Sequence, residues 1–167
     1  EAMLVEDGLE AHSLLAASFG TPVSSGYGAE QRLLLVTDLA GYPQALDRHI
    51  EAVRALMLPP AVPQRLHVLN MLEKAEAGTL DALAPQLCEL GTSGSKQVRA
   101  VAEPLLRRCS DVVLEPLRSL AIDGKPEQRA NALRLIAMFA ATRSLDQWAR
   151  FAHETAAADK APSVQAL

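Results

Sequence analysis

Apolar residues recur at spacings of three and four along most of the chain, in long stretches rich in Ala, Leu, Arg, Glu and Gln. Residues that favour strands are sparse, and alternation of apolar and polar positions with period two is hard to find. Glycine and proline clusters interrupt the helical pattern at short intervals, for example at 41–43, 58–63, 91–95 and 124–126. The pattern predicts an all-α fold of about nine helices and the start of a tenth.

Several of the predicted helices begin at residues that suit a helix start. Thr79 and Ser110 can accept hydrogen bonds from the free amides of a first turn. Ser144 and Gln147 have the spacing of a capping box. Pro126 fits a first helical position, where its missing N–H has no partner to lose. These residues predict where four of the helices begin.

A basic residue or a polar substitute opens every second predicted helix, at intervals of 30 to 36 residues: Arg32, Arg65, Arg99, Arg129 and Gln165. The residues three positions later are apolar in each complete copy: Leu35, Val68, Ala102 and Ala132. So are the residues seven positions later: Leu39, Leu72, Leu106 and Ile136. On a helix these two offsets point in nearly the same direction, so each copy offers one apolar stripe to a neighbour.

The helices between these copies share a proline. Leu83-Ala84-Pro85 and Leu114-Glu115-Pro116 match at a distance of 31 residues. A proline within a helix removes one hydrogen bond, so both helices are expected to bend there. The segment 113–140, VLEPLRSLAIDGKPEQRANALRLIAMFA, resembles a HEAT-type repeat, with a proline-containing first helix, a turn with aspartate, and a second helix that opens with arginine.

This resemblance implies an α-solenoid of stacked antiparallel helical hairpins. It also implies that Asp123 and Arg129 form bonds across stacked units, and the same spacing recurs at Asp159 and Gln165. We therefore expect one HEAT-like repeat array over 1–167, an excerpt of a longer protein. Its units are expected at roughly 1–41, 42–77, 78–109, 110–142 and 143–167, the last one incomplete.

In HEAT-like solenoids the second helix of each unit lines the concave side, so its outward residues are the candidate partner-binding positions. Offsets of five and nine point away from the apolar stripe. The candidates there are Thr37, Asn70, Lys74, Arg108 and Arg134. The expected function is a non-catalytic protein–protein interaction scaffold; an ordinary solvated helix face is the alternative for the same residues. The loop at 20–28 is either a second partner contact or a tolerated insertion.

The charge distribution adds a second functional hypothesis. The 167 residues hold 16 Lys and Arg against 20 Asp and Glu, a net charge of -4, but residues 1–90 carry -7 and residues 91–167 carry +3. A basic patch in the second half would attract nucleic acid or phosphate: Lys96, Arg99, Arg107, Arg108, Arg129 and Arg134. Six aromatic residues in the whole chain provide few surfaces on which bases can stack.

The sequence contains no recognisable catalytic motif. His153-Glu154 is followed by Ala157 where a metalloprotease helix would need its second histidine. A HEAT-like enzyme domain such as a DNA glycosylase remains a third hypothesis, and it requires an acidic residue and aromatic residues on the concave face. No cofactor and no metal are expected. Cys88 and Cys109 lie within apolar patterns, which predicts buried thiols in a reducing, intracellular compartment, cytoplasmic or nuclear. No apolar run is long enough to predict a membrane-spanning helix.

Overall fold

The computed structural model describes residues 18–19, 37–39 and 41–166, and this part of the chain is all-helical, without strands. It contains ten α-helices and one 3₁₀ turn, Asp111–Val113. The helices are α1 (Tyr42–Arg48), α2 (Ile50–Leu56), α3 (Val62–Met71), α4 (Ala77–Ala82), α5 (Ala84–Gly91), α6 (Lys96–Arg108), α7 (Leu114–Asp123), α8 (Pro126–Arg143), α9 (Asp146–Ala158) and α10 (Pro162–Gln165). The all-α prediction is confirmed. Arg32, Leu35 and the loop at 20–28 lie outside the described residues.

The chain divides into two compact units, Glu1–Leu83 and Ala84–Leu167, which we call unit 1 and unit 2. The division falls inside the segment 78–109 that the repeat pattern treats as one unit. In unit 1, the apolar residues of α1–α3 form a core, and the buried Tyr42 hydroxyl donates a 2.8 Å hydrogen bond to the Met71 carbonyl. That bond connects the start of α1 to the end of α3.

Unit 2 is built from helices that pair with their neighbours in sequence. α5 packs on α6, α7 packs on α8, and α9 packs on α10. Contacts also join different pairs, because α5 packs on α7 while α8 contacts α5, α9 and α10. The longest helix of the described chain, α8, therefore lies in the middle of unit 2.

The apolar stripe of the repeat pattern lies in the core of each copy that the structure describes in full. Two sets of residues are at most 1% exposed: Val68, Ala102 and Ala132, and Leu72, Leu106 and Ile136. The exception is Leu39, which is 55% exposed. Its assignment to the core is wrong because the helical segment ends near Thr37, so Leu39 lies past the helix and outside the periodicity.

Two of the four predicted helix starts match the structure. The Ser110 hydroxyl accepts a hydrogen bond from the Val112 amide, and Pro126 is the first residue of α8. Thr79, in contrast, lies inside α4 and is buried. Ser144 ends α8 in a left-handed conformation, with φ 56°, instead of starting α9. Both residues were assigned from local spacing, which cannot show which way the surrounding chain turns.

The repeated prolines do not bend helices. Pro85 is the second residue of α5 and Pro116 is the third residue of α7. The amides of a first helical turn have no partner within the helix, so a proline there removes no hydrogen bond. The expected bend is therefore wrong at both positions, and the chain instead begins a new helix just before each proline.

Candidate functional site

The basic or polar residue at the start of each repeat's second helix connects that helix to the preceding loop by a hydrogen bond. In every described copy its side chain donates a hydrogen bond to a backbone carbonyl five or six residues earlier. The pairs are Arg65 Nε with Pro59 O (2.8 Å), Arg99 Nη1 with Ser93 O (2.6 Å), Arg129 Nη1 with Gly124 O (2.9 Å) and Gln165 Nε2 with Asp159 O (2.6 Å). These four residues thus occupy equivalent local settings, which we call the loop clasp.

Arg129 also joins two successive copies of the repeat. Its Nε and Nη2 bond to the two carboxylate oxygens of Asp159 at 2.7 and 2.8 Å. The Asp159 side chain is only 7% exposed. Its pKa is lowered to about 2, first by the hydrogen bonds from Arg129 and then by the backbone amide of Ala161. Asp159 is therefore ionised at neutral pH and holds the loop after α9 against the start of α8.

The HEAT resemblance implies bonds between a turn aspartate and an arginine of neighbouring copies, and Arg129 forms such a bond, whereas Asp123 forms none with the described residues. Asp123 is exposed, and Arg129 bonds to Asp159 of the following copy. Arg99 likewise bonds forward, to Glu127 at 3.4 Å. The arginines therefore bond to acids of the next copy, and one of those acids is a helical glutamate instead of a turn aspartate.

α6 and α8 lie side by side and run in the same direction. Near their first turns Arg99 bonds to Glu127, and in the middle Arg134 Nη2 bonds to Glu103 Oε2 at 2.9 Å. At their ends Arg143, the last residue of α8, donates to the carbonyl of Cys109, directly after α6, at 2.6 Å and pairs with Asp111. Because the first turns of α6 and α8 are bridged to each other and so are their ends, the exposed sides of the two helices form one continuous face. We call it the second-helix surface.

At the centre of this surface, one carboxylate holds two arginines. Glu103 Oε1 accepts from Arg107 at 2.7 Å, while its Oε2 accepts from Arg134. The side chains of Arg107 and Arg134 are 57% and 42% exposed, whereas that of Glu103 is 22% exposed. The hydrogen bond from Arg107 is the main cause that lowers the pKa of Glu103; partial burial opposes it and Arg134 reinforces it. We call these three residues the arginine–glutamate cluster.

The candidate partner-binding residues have different surroundings. Thr37 is 6% exposed, so its assignment to an exposed surface is wrong. Asn70 and Lys74 of unit 1 are exposed, and Lys74 forms an ion pair with Asp38. Arg108, in unit 2, is exposed at the end of α6. Arg134 belongs to the arginine–glutamate cluster.

Sequence reasoning placed Arg107 and Arg134 in a basic patch but missed Glu103. The signal that pointed to it is the spacing of four residues between Glu103 and Arg107 on one helix. The longer link, from Glu103 to Arg134, spans 31 residues and depends on how α6 and α8 align. No local pattern contains that information.

Candidate sites for chemistry among the described residues would be metal-binding groups and pockets. No group of three His, Cys, Asp or Glu side chains among them could hold a metal ion. A shallow depression of about 380 Å³ lies in unit 2, and its lining includes Ile122, Glu154 and the paired Arg129 and Asp159. Both charges of that pair are already engaged with each other, so neither is available as a general acid or base. Over the described ranges, none of the helices is long and apolar enough to cross a membrane.

Comparison with known proteins identifies no relative. No protein-family model matches the chain, and no curated protein or solved structure matches it. The features of the described residues that bear on function are the second-helix surface and the arginine–glutamate cluster within it.

Proposed function

We propose that the chain is a non-catalytic scaffold that binds a protein partner through the second-helix surface. We also propose that its helical hairpins stack as a HEAT-like α-solenoid. The observation that carries the proposal is the alignment of α6 and α8, whose bridging pairs are 28, 31 and 34 residues apart. These separations are close to the repeat interval of the sequence, as expected when equivalent positions of successive units meet.

The other row of helices supports the same stacking. The Cys88 thiol of α5 lies 3.6 Å from the carbonyl of Val113, directly before α7. The Arg118 guanidinium of α7 lies 5.6 Å from the centre of the Phe151 ring of α9. First helices thus contact first helices, and second helices contact second helices. Such contacts support the proposed solenoid, in which the binding surface would be a broad helical face.

The composition of the second-helix surface suits a protein partner. Between its arginines it exposes small or apolar residues, namely Ala100 and Pro104 on α6 and Ala137 and Ala141 on α8. Arginine is enriched at protein interfaces, and the small side chains between the arginines leave room for another chain. Because bridging pairs already fix the long side chains, little ordering is required when a partner binds.

The nucleic-acid hypothesis fits this surface less well. Arg99 pairs with Glu127, Arg143 pairs with Asp111, and Glu103 engages two further arginines. These acids offset much of the positive charge that a phosphate backbone requires. The enzyme hypothesis requires an acid and aromatic side chains on the same face, and Trp148 and Phe151 instead contact each other on α9.

We propose an intracellular location, because the two cysteines, Cys88 and Cys109, are buried and do not form a disulfide. Burial raises the pKa of the Cys88 thiol, which keeps it protonated and unreactive. Buried, unbridged thiols suit a reducing compartment.

The test is quantitative affinity capture from cell extract with the full chain and two charge-matched variants. Ala100→Glu with Ala137→Glu alters the second-helix surface, while Ser119→Glu with Gln147→Glu adds the same charge at exposed positions of α7 and α9. We expect a protein that binds the wild type and the α7/α9 variant alike and is lost from the surface variant. Calorimetry with the purified partner should reproduce this order. If no captured protein distinguishes the two variants, the proposal is wrong.

A further inference from the structure

The arginine–glutamate cluster leaves most of its hydrogen-bonding capacity unused. A guanidinium has five N–H donors, and Arg107 and Arg134 each direct one nitrogen, Nη2, at Glu103. No other hydrogen bond within the described part of the chain involves either guanidinium. Both side chains are about half exposed, which leaves them accessible to a partner. The cluster thus presents two fixed, outward-facing donor groups.

Glu103 gives these donors a fixed position. A free arginine side chain samples many rotamers, and binding must then select one of them. Here each guanidinium is held by a charge-assisted hydrogen bond of 2.9 Å or less to a partly buried carboxylate. The planar fork of a guanidinium matches the two oxygens of a carboxylate. A second carboxylate, supplied by a partner, fits the donors that Glu103 does not use.

Apolar groups flank the cluster on both helices. Pro104 is exposed and lies three residues before Arg107, on the same side of α6. Met138 is partly exposed and follows Arg134 by four residues, on the same side of α8. A segment that bonds to the arginines therefore passes next to apolar surface.

Resting on the proposed function, we infer that the partner docks through an acidic peptide segment, with an Asp or Glu carboxylate bound by Arg107 and Arg134 and an apolar side chain against Pro104 or Met138. Charge complementarity selects this occupant. The cluster has a net charge of only +1, which suits one or two carboxylates at short range but not a phosphate backbone. The one aromatic residue of α6 and α8, Phe139, is buried and unavailable for stacking on bases.

The first experiment selects peptides from an unbiased random library on the immobilised full chain. We expect the selected peptides to be rich in Asp and Glu with adjacent apolar residues. Fluorescence anisotropy with one labelled selected peptide then measures affinity. Arg107→Gln and Arg134→Gln should each weaken binding about tenfold or more, because each removes a charge-assisted hydrogen bond. Arg150→Gln, an equal charge change at an exposed position of α9, should leave the affinity within about twofold.

The second experiment asks whether Glu103 positions the two arginines or only reduces the positive charge of the surface. The two roles predict opposite changes in peptide affinity when Glu103 is neutralised. Glu103→Gln makes the surface more positive, so simple electrostatic attraction predicts tighter binding of an acidic peptide. A positioning role for Glu103 predicts weaker binding, because the two guanidiniums lose their shared carboxylate. The matched control is Glu127→Gln, which makes the same charge change on α8 outside the cluster. Arg134→Lys keeps the charge but loses the fork, and it should also weaken binding; thermal melts by circular dichroism verify that each variant is folded.

The outcomes distinguish this inference from the proposed function. Failure to select any peptide would overturn the inference, whereas the scaffold itself is tested by the affinity capture described above. Selected peptides without acidic residues, or with unchanged affinity for the arginine variants, would overturn the inference and leave the scaffold in place. Tighter binding of Glu103→Gln than of Glu127→Gln would also overturn it. A labelled oligo-dT that binds more tightly than the peptides and is released by Arg134→Gln would reassign the cluster to phosphate.

Discussion

The contact between Gly91 and Leu106 provides the sharpest test of how the helices of unit 2 pack. Gly91 is the last residue of α5 and is buried. A Cβ atom at this position would lie 2.5 Å from Leu106 Cδ1 and 3.5 Å from Leu135 Cδ1. Both leucines are fully buried. The absence of a side chain at Gly91 therefore allows α5, α6 and α8 to meet.

Two single substitutions should destabilise the chain for opposite reasons. Gly91→Ala overpacks the contact, which lowers the free energy of unfolding by about 1–3 kcal/mol. The higher helix propensity of alanine offsets up to about 1 kcal/mol of that loss. Leu106→Ala leaves a cavity and should cost about 2–5 kcal/mol. In the double variant the alanine methyl at position 91 enters the space that Leu106 vacates. The double variant should then be more stable than additivity predicts, by about 1 kcal/mol or more.

Urea unfolding followed by circular dichroism measures these free energies on the full chain. Gly78→Ala is the matched control, because Gly78 lies in α4 and a Cβ there would meet no heavy atom within 4 Å apart from its chain neighbours and the backbone of its own helix. It should be neutral or stabilise by up to about 1 kcal/mol. Arg108→Ala, on the exposed side of α6, should cost under about 0.5 kcal/mol. Strict additivity in the double variant, or equal effects of Gly91→Ala and Gly78→Ala, would refute the packing described for Gly91.

Three further predictions concern single polar contacts. The folded pKa of Asp159 lies below its unfolded value, so the ion pair with Arg129 stabilises the fold above about pH 4, and this contribution is lost as the pH falls towards 2. The difference in melting temperature between wild type and Asp159→Asn should therefore shrink between about pH 4 and pH 2. A constant difference would contradict this prediction. Arg143→Ala should cost about 1.5–3 kcal/mol in urea unfolding, because the Cys109 carbonyl loses a charged donor. Tyr42→Phe should cost about 1–3 kcal/mol by the same assay, since the Met71 carbonyl is left without its buried donor, and no loss would mean that water replaces the hydroxyl.

Periodicity predicted the parts of the fold that depend on one helix at a time. The apolar offsets from Arg65, Arg99 and Arg129 identified buried residues because a helix face is a property of local spacing. Leu39 was misassigned because the pattern does not show where a helix ends. Thr79 was misassigned for a related reason: α4 begins at Ala77, so Thr79 lies within its first turn and not before it.

The candidate site was harder to predict because its decisive contacts join separate helices. Arg134 was identified from its outward offset. Its bond to Glu103 was not, since that depends on the alignment of α6 with α8. The same limit applies to the turn aspartates: a spacing of six residues identifies both Asp123 and Asp159, but only the packing of successive copies shows that Arg129 bonds to Asp159 while Asp123 stays exposed.

The loop clasp has a consequence for recognising further copies of this motif. At Gln165 an uncharged amide makes the same backbone bond that arginine makes at Arg65, Arg99 and Arg129. The residue at this position thus needs a side-chain N–H group that reaches the backbone carbonyl of the preceding loop. Glutamine, lysine and arginine are long enough for this, and asparagine is too short. A search profile that demands arginine would pass over copies such as the one ending at Gln165. One that scores donor length should detect degenerate repeats that sequence identity no longer reveals.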